Sequence, residues 1–405
     1  MAGNHAGPDL LFGFPVIFFG TLAIAGGVAF YFNKKWGKLP GIGEKHYDLI
    51  VLVLGLWCLG GLLIDSFAHI AGTVDDTFFT PWHAIWYSGA TAYGAYIFYA
   101  ILPQEGITHL MRHPFQVLKG VEPHHKPGVY GIIIFGVSGI GDMIWHETFG
   151  VESSLDILLS PTHIGLFIGL ILSVSAPVWS AWADPESGID GLRSQMLLIF
   201  GVGAAWSVIL LMFRFANLWV APLESFCYSG NVDFCSNEKY EDGLSFGLQS
   251  LYIQAGITCA MLVMFLQRWE PARGAIFLIL TFHTVALYVY TEFDNSVLYM
   301  GMCWAILMEL ALPLYHTWRE RVYIPFVVAT QVMIFIVSSF IATSDISNVN
   351  YWIEGGELHV LPFGWTIHST IGSVVICATI GWFASVIGFP PRNPSSDIQD
   401  PQIEN

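Results

Sequence analysis

The chain alternates long apolar runs with short polar breaks. Eleven runs stand out, at about 10–32, 47–70, 81–103, 128–149, 161–182, 195–217, 246–267, 274–293, 297–317, 323–343 and 363–389. Each is close to, or above, the roughly 20 residues that a helix needs to cross a bilayer. Inside lipid each backbone N–H and C=O must be satisfied by its own segment, so these runs predict helices and not strands. The expected fold is an all-α integral membrane protein with about eleven transmembrane helices, a first helix followed by five out-and-back hairpins. One polytopic domain is expected over 1–389, with a long polar loop at 218–245. The Pro-rich, polar stretch 390–405 reads as a disordered tail.

The polar breaks differ in charge. Thirteen of the fifteen Lys and Arg residues fall in alternate breaks, on one face; only Arg214 and Lys239 do not. The breaks on the other face are acidic. The positive-inside rule then puts the N-terminus outside and the C-terminus in the cytoplasm. The start of the chain has no basic residues ahead of its apolar run, so the first helix is expected to be retained and not cleaved.

Composition sharpens the class. The chain has 405 residues, 54% hydrophobic and only 11% charged, with mean hydropathy +0.59. Soluble domains carry about 25% charged residues. These figures exclude a soluble globular enzyme and a disordered chain. The net charge of −16 repels nucleic acid, and clustered acids attract cations. The expected partners are the lipid bilayer, a small-molecule or ion substrate and other membrane proteins, with no nucleic acid. No Walker A loop, Gly-rich dinucleotide turn, C-x-x-C-H or H-E-x-x-H occurs in the chain.

Against this apolar background one polar pattern occurs twice, in the hairpins 47–103 and 128–182. The first carries Asp65 and His69, then Phe78-Phe79-Thr80-Pro81-Trp82-His83. The second carries Gly141-Asp142, Trp145-His146, then Ser160-Pro161-Thr162-His163. Both read D-x-x-x-H, a short loop, then P-x-H. Residues four apart share a helix face. Proline suits the first turn of a helix. Each hairpin therefore brings one carboxylate and two imidazoles to one depth, near the outer leaflet. Two histidines and a carboxylate suit copper, iron or zinc. Ionisable side chains are costly within a membrane and are usually paired or functional there. The predicted metal ligands are Asp65, His69, His83, Asp142, His146 and His163. A metal-free polar or proton-handling network built from the same residues is the competing expectation.

Other polar residues extend the picture. His283, Glu292, Glu309 and His368 are candidates to support the site or relay protons. Cys227 and Cys235, in the 218–245 loop, are a candidate disulfide on the oxidising side. His109, His113, His124 and His125 share one break with Arg112, Lys119 and Lys126 and read as a solvated basic face.

At Asp65-x3-His69 with Phe78–His83, and at Gly141–His146 with Ser160–His163, the chain resembles a group of uncharacterised prokaryotic polytopic membrane proteins carrying the same two motifs. That resemblance covers roughly residues 50–180 and implies a shared site without an activity. The Asp-x3-His-x13-His set also looks like the membrane metal site in the third subunit of particulate methane and ammonia monooxygenases, which implies copper, or zinc, held by the same residue types. Here the last gap is slightly longer, the motif is duplicated and the rest of the chain differs from that subunit. The functional expectation is a copper- or iron-dependent oxidoreductase acting on a small membrane-soluble substrate, with copper the first choice of metal. The alternative is a cation or proton transporter, or a metal-delivery protein, using the same residues.

Overall fold

A computed structural model describes residues 8–71, 78–103, 106–150, 156–217, 219, 237–342, 350–353, 356–359 and 365–390. The predicted disulfide pair Cys227 and Cys235, and the tail beyond Pro390, lie outside these residues. The described chain is helical. Its long helices are α1 (Pro8–Trp36), α2 (Tyr47–Ile70) and α3 (Pro81–Ile101). The short α4 (Ile107–Arg112) and α5 (Pro114–Gly120) lead into α6 (Lys126–Phe149). Then come α7 (Asp156–Leu159), α8 (Pro161–Ala183), α9 (Leu192–Met212), α10 (Asn237–Arg268) and α11 (Ala275–Tyr290). The chain continues through α12 (Asn295–Leu310), α13 (Leu312–Trp318), α14 (Glu320–Ala342) and α15 (Ile367–Gly388).

Among the described residues nine helices are long and apolar enough to cross a membrane, so this is a multi-pass membrane protein. α3 and α11 stand outside that group. The 21 residues of α3 include Trp, His, Ser, Thr and several Tyr, which lower its hydropathy. α11 has only 16 residues, about 24 Å of helix against a hydrocarbon layer of about 30 Å.

Three local features depart from the sequence reading. The run 297–317 is interrupted between α12 and α13 at Ala311, just ahead of Pro313, although Asn295–Trp318 together counts as one of the nine crossing lengths. A proline ring clashes with the preceding turn and has no N–H to continue the ladder. α10 begins at Asn237, well inside the predicted 218–245 loop, and the Glu residues of its first turns favour a helix N-terminus. A two-stranded antiparallel ribbon, β1 (Asn350–Ile353) with β2 (Gly356–His359), pairs Asn350 with His359 and interrupts the otherwise helical order.

The chain divides into two compact units, Met1–Phe213 with Ala272–Met302, and Arg214–Pro271 with Cys303–Asn405. In the first unit the α2–α3 hairpin packs on the α6–α8 hairpin, through α2 on α8 and α3 on α6. α9 lies against α8, α2 and α11, and α1 lies against α3. Membrane helices gain little from hydrophobic burial against each other and rely on close contact of small residues. Gly61 shows this. A Cβ there would stand 2.4 Å from Trp86 Cα, so α2 and α3 touch backbone to backbone. Gly131 and Gly169 do the same for α6 and α8, each with its missing Cβ position 2.8 Å from the other's carbonyl oxygen. Tyr93 Oη donates to the Ser173 carbonyl at 3.1 Å and ties α3 to α8.

The basic-rich end of this unit is closed by its own cluster, with Tyr47, Val51, Tyr93, Tyr96, Ile97, Val121 and Val129 buried together. Just outside it, Lys38 hydrogen-bonds Glu44 and so holds the Glu44 carboxyl below its ordinary range. Both side chains are solvated, and such a pair adds little stability.

In the second unit α14 packs on α15, with α10 against both and α13 against α14. Trp304 Nε1 donates to the Val327 carbonyl at 3.2 Å, and Arg319 pairs with Glu270 at 2.8 Å.

Candidate metal centre

The six predicted ligands all lie in the first unit, at the end of α2, α3, α6 and α8 away from the basic residues. Asp65 and His69 stand one turn apart at the end of α2. Asp142 and His146 do the same near the end of α6. The other two histidines are placed by helix caps. Thr80 caps α3, its hydroxyl accepting the His83 backbone N–H at 3.1 Å, with Pro81 as the first helical residue. Ser160 caps α8 in the same way, accepting from His163 N at 3.3 Å, with Pro161 next. A Ser or Thr cap satisfies one of the orphan N–H groups at a helix start and fixes where the helix begins. Each histidine is therefore the third residue of its helix, held at a set angle.

Two compact sets result. In the first, Asp65 Oδ1 lies 3.4 Å from His83 Nε2, and Asp65 Oδ2 lies 3.7 Å from His69 Nε2. In the second, Asp142 Oδ1 lies 3.2 Å from His163 Nε2 and 3.6 Å from His146 Nε2. Within each set one ligand atom from every residue lies within 4.8 Å of the others. Asp142 is wholly buried, and all but His69 are less than a tenth exposed.

The sets adjoin. The His83 and His146 rings are 6.3 Å apart, and Phe78 packs on both, at 4.9 and 6.2 Å. Tyr87, one turn below His83, donates its hydroxyl to Asp142 Oδ2 at 3.1 Å, so a residue of the first hairpin orients a ligand of the second. Thr162 donates to Asp142 Oδ1 at 3.0 Å.

The donor chemistry fits a cation. His83 Nδ1 lies 2.6 Å from the Phe78 carbonyl oxygen, which can only accept, so Nδ1 carries the ring proton. In the neutral imidazole Nε2 is then a lone pair, and it faces the Asp65 carboxylate. Two acceptors in contact need a positive charge between them. A charge-assisted N–H···O bond would draw the atoms to about 2.7–2.9 Å. The four Nε2-to-carboxylate distances are longer, at 3.2–3.7 Å. Two ligands on one tetrahedral ion, each at about 2.0–2.1 Å, stand about 3.3 Å apart. No hydrogen-bond donor among the described residues reaches Asp65 beyond these imidazoles, and His146 Nδ1 is buried without a partner. A buried carboxylate and a buried ring nitrogen left this way are costly unless something binds them.

The remaining candidates fall elsewhere. His283 is buried in α11, stacked on Trp206 at 4.6 Å with Nδ1 3.3 Å from Ser207 Oγ, and Glu292 is exposed at positive φ just after the helix. Glu309 and an exposed His368 belong to the second unit. The basic break is only partly solvated: His125 is 5% exposed, where a solvated face was expected, because Pro123 and a 3-10 turn fold it under α6 against Tyr47. Tyr87, Thr162, Thr80 and Ser160 were not read as site residues. The caps had a signal, since each P-x-H follows a Ser or Thr. Tyr87 had none, because its contact crosses between hairpins.

The fold and site define a class, a multi-pass membrane protein with two buried Asp/His/His sets that can bind metal. Comparison with protein-family models, curated proteins and solved structures gave no match.

Proposed function

We propose that the two sets hold two metal ions in one compact centre, and that the protein is a copper- or iron-dependent oxidoreductase acting on a small membrane-soluble substrate. The observation that carries this reading is the apposition of imidazole Nε2 atoms and carboxylates at the spacing of ligands that share an ion. When bound, copper or iron would supply electron transfer and open coordination positions for a small molecule. The chain's own residues do the rest. The two carboxylates offset the cationic charge in a site of low dielectric. Phe78 and Tyr87 wall the site, and the Tyr87 and Thr162 hydroxyls fix the rotamer of Asp142. The likeness of Asp65, His69 and His83 to the monooxygenase subunit's set supports copper. The basic-residue asymmetry supports a site near the outer leaflet of the cell membrane, eleven crossings and a cytoplasmic C-terminus.

A carrier would also use such ligands, but it needs a path across the bilayer. The glycine contacts of α2 on α3 and of α6 on α8 press backbone on backbone in the stretch that a path would follow, which favours an enzyme. Elemental mass spectrometry on untagged protein purified in mild detergent tests the proposal. The expected result is about two equivalents of copper or iron that survive chelator dialysis, with no metal-dependent ion flux in proteoliposomes. Metal-free protein with an intact fold after reconstitution with copper and iron would overturn it.

The caps give a finer test. Ser160→Ala removes both the α8 cap and a hydroxyl that hydrogen-bonds His163 Nδ1, 2.7 Å away. Thr80→Ala removes a cap only, since His83 keeps the Phe78 carbonyl. Both should lose about 1 kcal/mol of stability. Only Ser160→Ala should also weaken metal affinity, by about 10–100-fold, as loss of an orienting partner does. Metal titration of the two variants separates the effects.

A further inference from the structure

The opposite end of the same helices carries a second group of ligand-type side chains that the centre above does not use. Glu122, His124 and His125 form one turn between α5 and α6. His125 N donates to the Glu122 carbonyl at 3.0 Å, which curls the three side chains together. His124 Nε2 lies 3.1 Å from Glu122 Oε2, and the His124 and His125 rings are 4.2 Å apart. One ligand atom from each of the three lies within 4.8 Å of the others.

Two further observations point to a ligand. His125 is buried edge-on to Tyr47, yet neither of its ring nitrogens has a hydrogen-bond partner among the described residues. Glu122 and His125 also line a cavity of about 510 Å³, together with His109, Gln116 and Gly43. Gly43 leaves the room, as even a Cβ there would come no closer than 3.8 Å to His125 Nε2. Lys119 and Lys126 flank the turn in sequence, and Asp48, at the start of α2, lies within electrostatic reach of His124.

We propose that Glu122, His124 and His125 form a separate, exchangeable site for a divalent transition-metal ion of the zinc class. Two imidazoles and one carboxylate are the donors such ions take, and three protein ligands leave a position open toward the cavity. Glu122 is exposed and His124 partly so, and such ligands at a pocket mouth give fast exchange, in contrast to the buried centre. Asp48 and Asp65 are seventeen residues apart on one helix, about 26 Å, so the two places bind independently.

The test is cobalt titration of untagged protein in detergent, read by the visible absorption of four-coordinate cobalt. Glu122→Gln/His124→Ala changes one exposed and one partly exposed side chain, so the fold should persist. The wild type should take up one chelator-exchangeable equivalent that this variant lacks, while metal held in the Asp/His/His sets is unchanged. The His69→Ala/His146→Ala variant should keep the exchangeable equivalent, which separates this site from the centre whether or not that centre holds metal. Equal exchangeable binding in wild type and Glu122→Gln/His124→Ala, or no exchangeable binding in the wild type, would overturn the proposal.

Discussion

Replacing His69 and His146 together with alanine is expected to strip both metal ions from the purified protein while its helix content stays unchanged. Each substitution removes one of only three protein ligands in its set. Loss of a residue that merely orients a ligand already costs about 10–100-fold in affinity, so loss of a ligand should empty the set at ordinary metal concentrations. The fold should survive. Asp142 keeps Tyr87, Thr162 and His163, and Asp65 keeps His83. Any oxidoreductase activity should vanish with the metal. His368→Ala is the control, since that side chain is exposed and lies in the other unit. Metal counts equal to wild type in the double variant would refute the ligand assignment.

The second large effect concerns packing. Gly61→Val should lower the thermal unfolding midpoint in detergent sharply, and it should disturb the centre without touching a ligand. The new Cβ would meet Trp86 N at 2.7 Å as well as Trp86 Cα, and backbone cannot swing aside as a side chain can. Overpacking typically costs about 1–3 kcal/mol, and a clash of backbone with backbone belongs at the upper end. α2 and α3 would have to part, and these are the helices whose Asp65 and His83 must stay 3.4 Å apart. The neighbouring Gly60 has nothing within 4 Å of its missing Cβ. Gly60→Ala should therefore be neutral or stabilising by up to about 1 kcal/mol, because alanine favours a helix over glycine. Thermal scans of the two variants, followed by tryptophan fluorescence, would show the contrast. Equal midpoints would mean that the close approach of α2 and α3 is not a determinant of stability.

Much of this architecture is legible in the sequence, for a physical reason. Lipid imposes length and hydropathy on every crossing segment, so nine of the apolar runs fall on helices long and apolar enough to cross, while the other two fall on the more polar α3 and the shorter α11. Asp65 with His69, and Asp142 with His146, could be grouped because helix periodicity alone puts them on one face. His83 and His163 could be joined to them because proline marks a helix start. What escaped depends on contacts between elements. Tyr87 meets Asp142 across 55 positions of sequence. The burial of His125 follows from a 3-10 turn whose surroundings read as polar. The adjacency of the two sets rests on contacts between the hairpins, α2 with α8 and α3 with α6, that no spacing within one hairpin reveals. The break at Ala311 was readable from Pro313 but lost within a long apolar run.

The caps at Thr80 and Ser160 bear on how such a centre tolerates change. The gap from the first histidine to the second is fourteen residues in one hairpin and seventeen in the other. Even so, the second histidine comes to 3.4 Å from its aspartate in one and to 3.2 Å in the other. The measuring device is the first turn of the helix and not the segment before it. Insertions and deletions between the two histidines can then accumulate over generations while the coordination geometry is inherited intact. The four residues Ser/Thr-Pro-x-His form a unit that could be transplanted onto the start of an unrelated helix and carry their geometry with them.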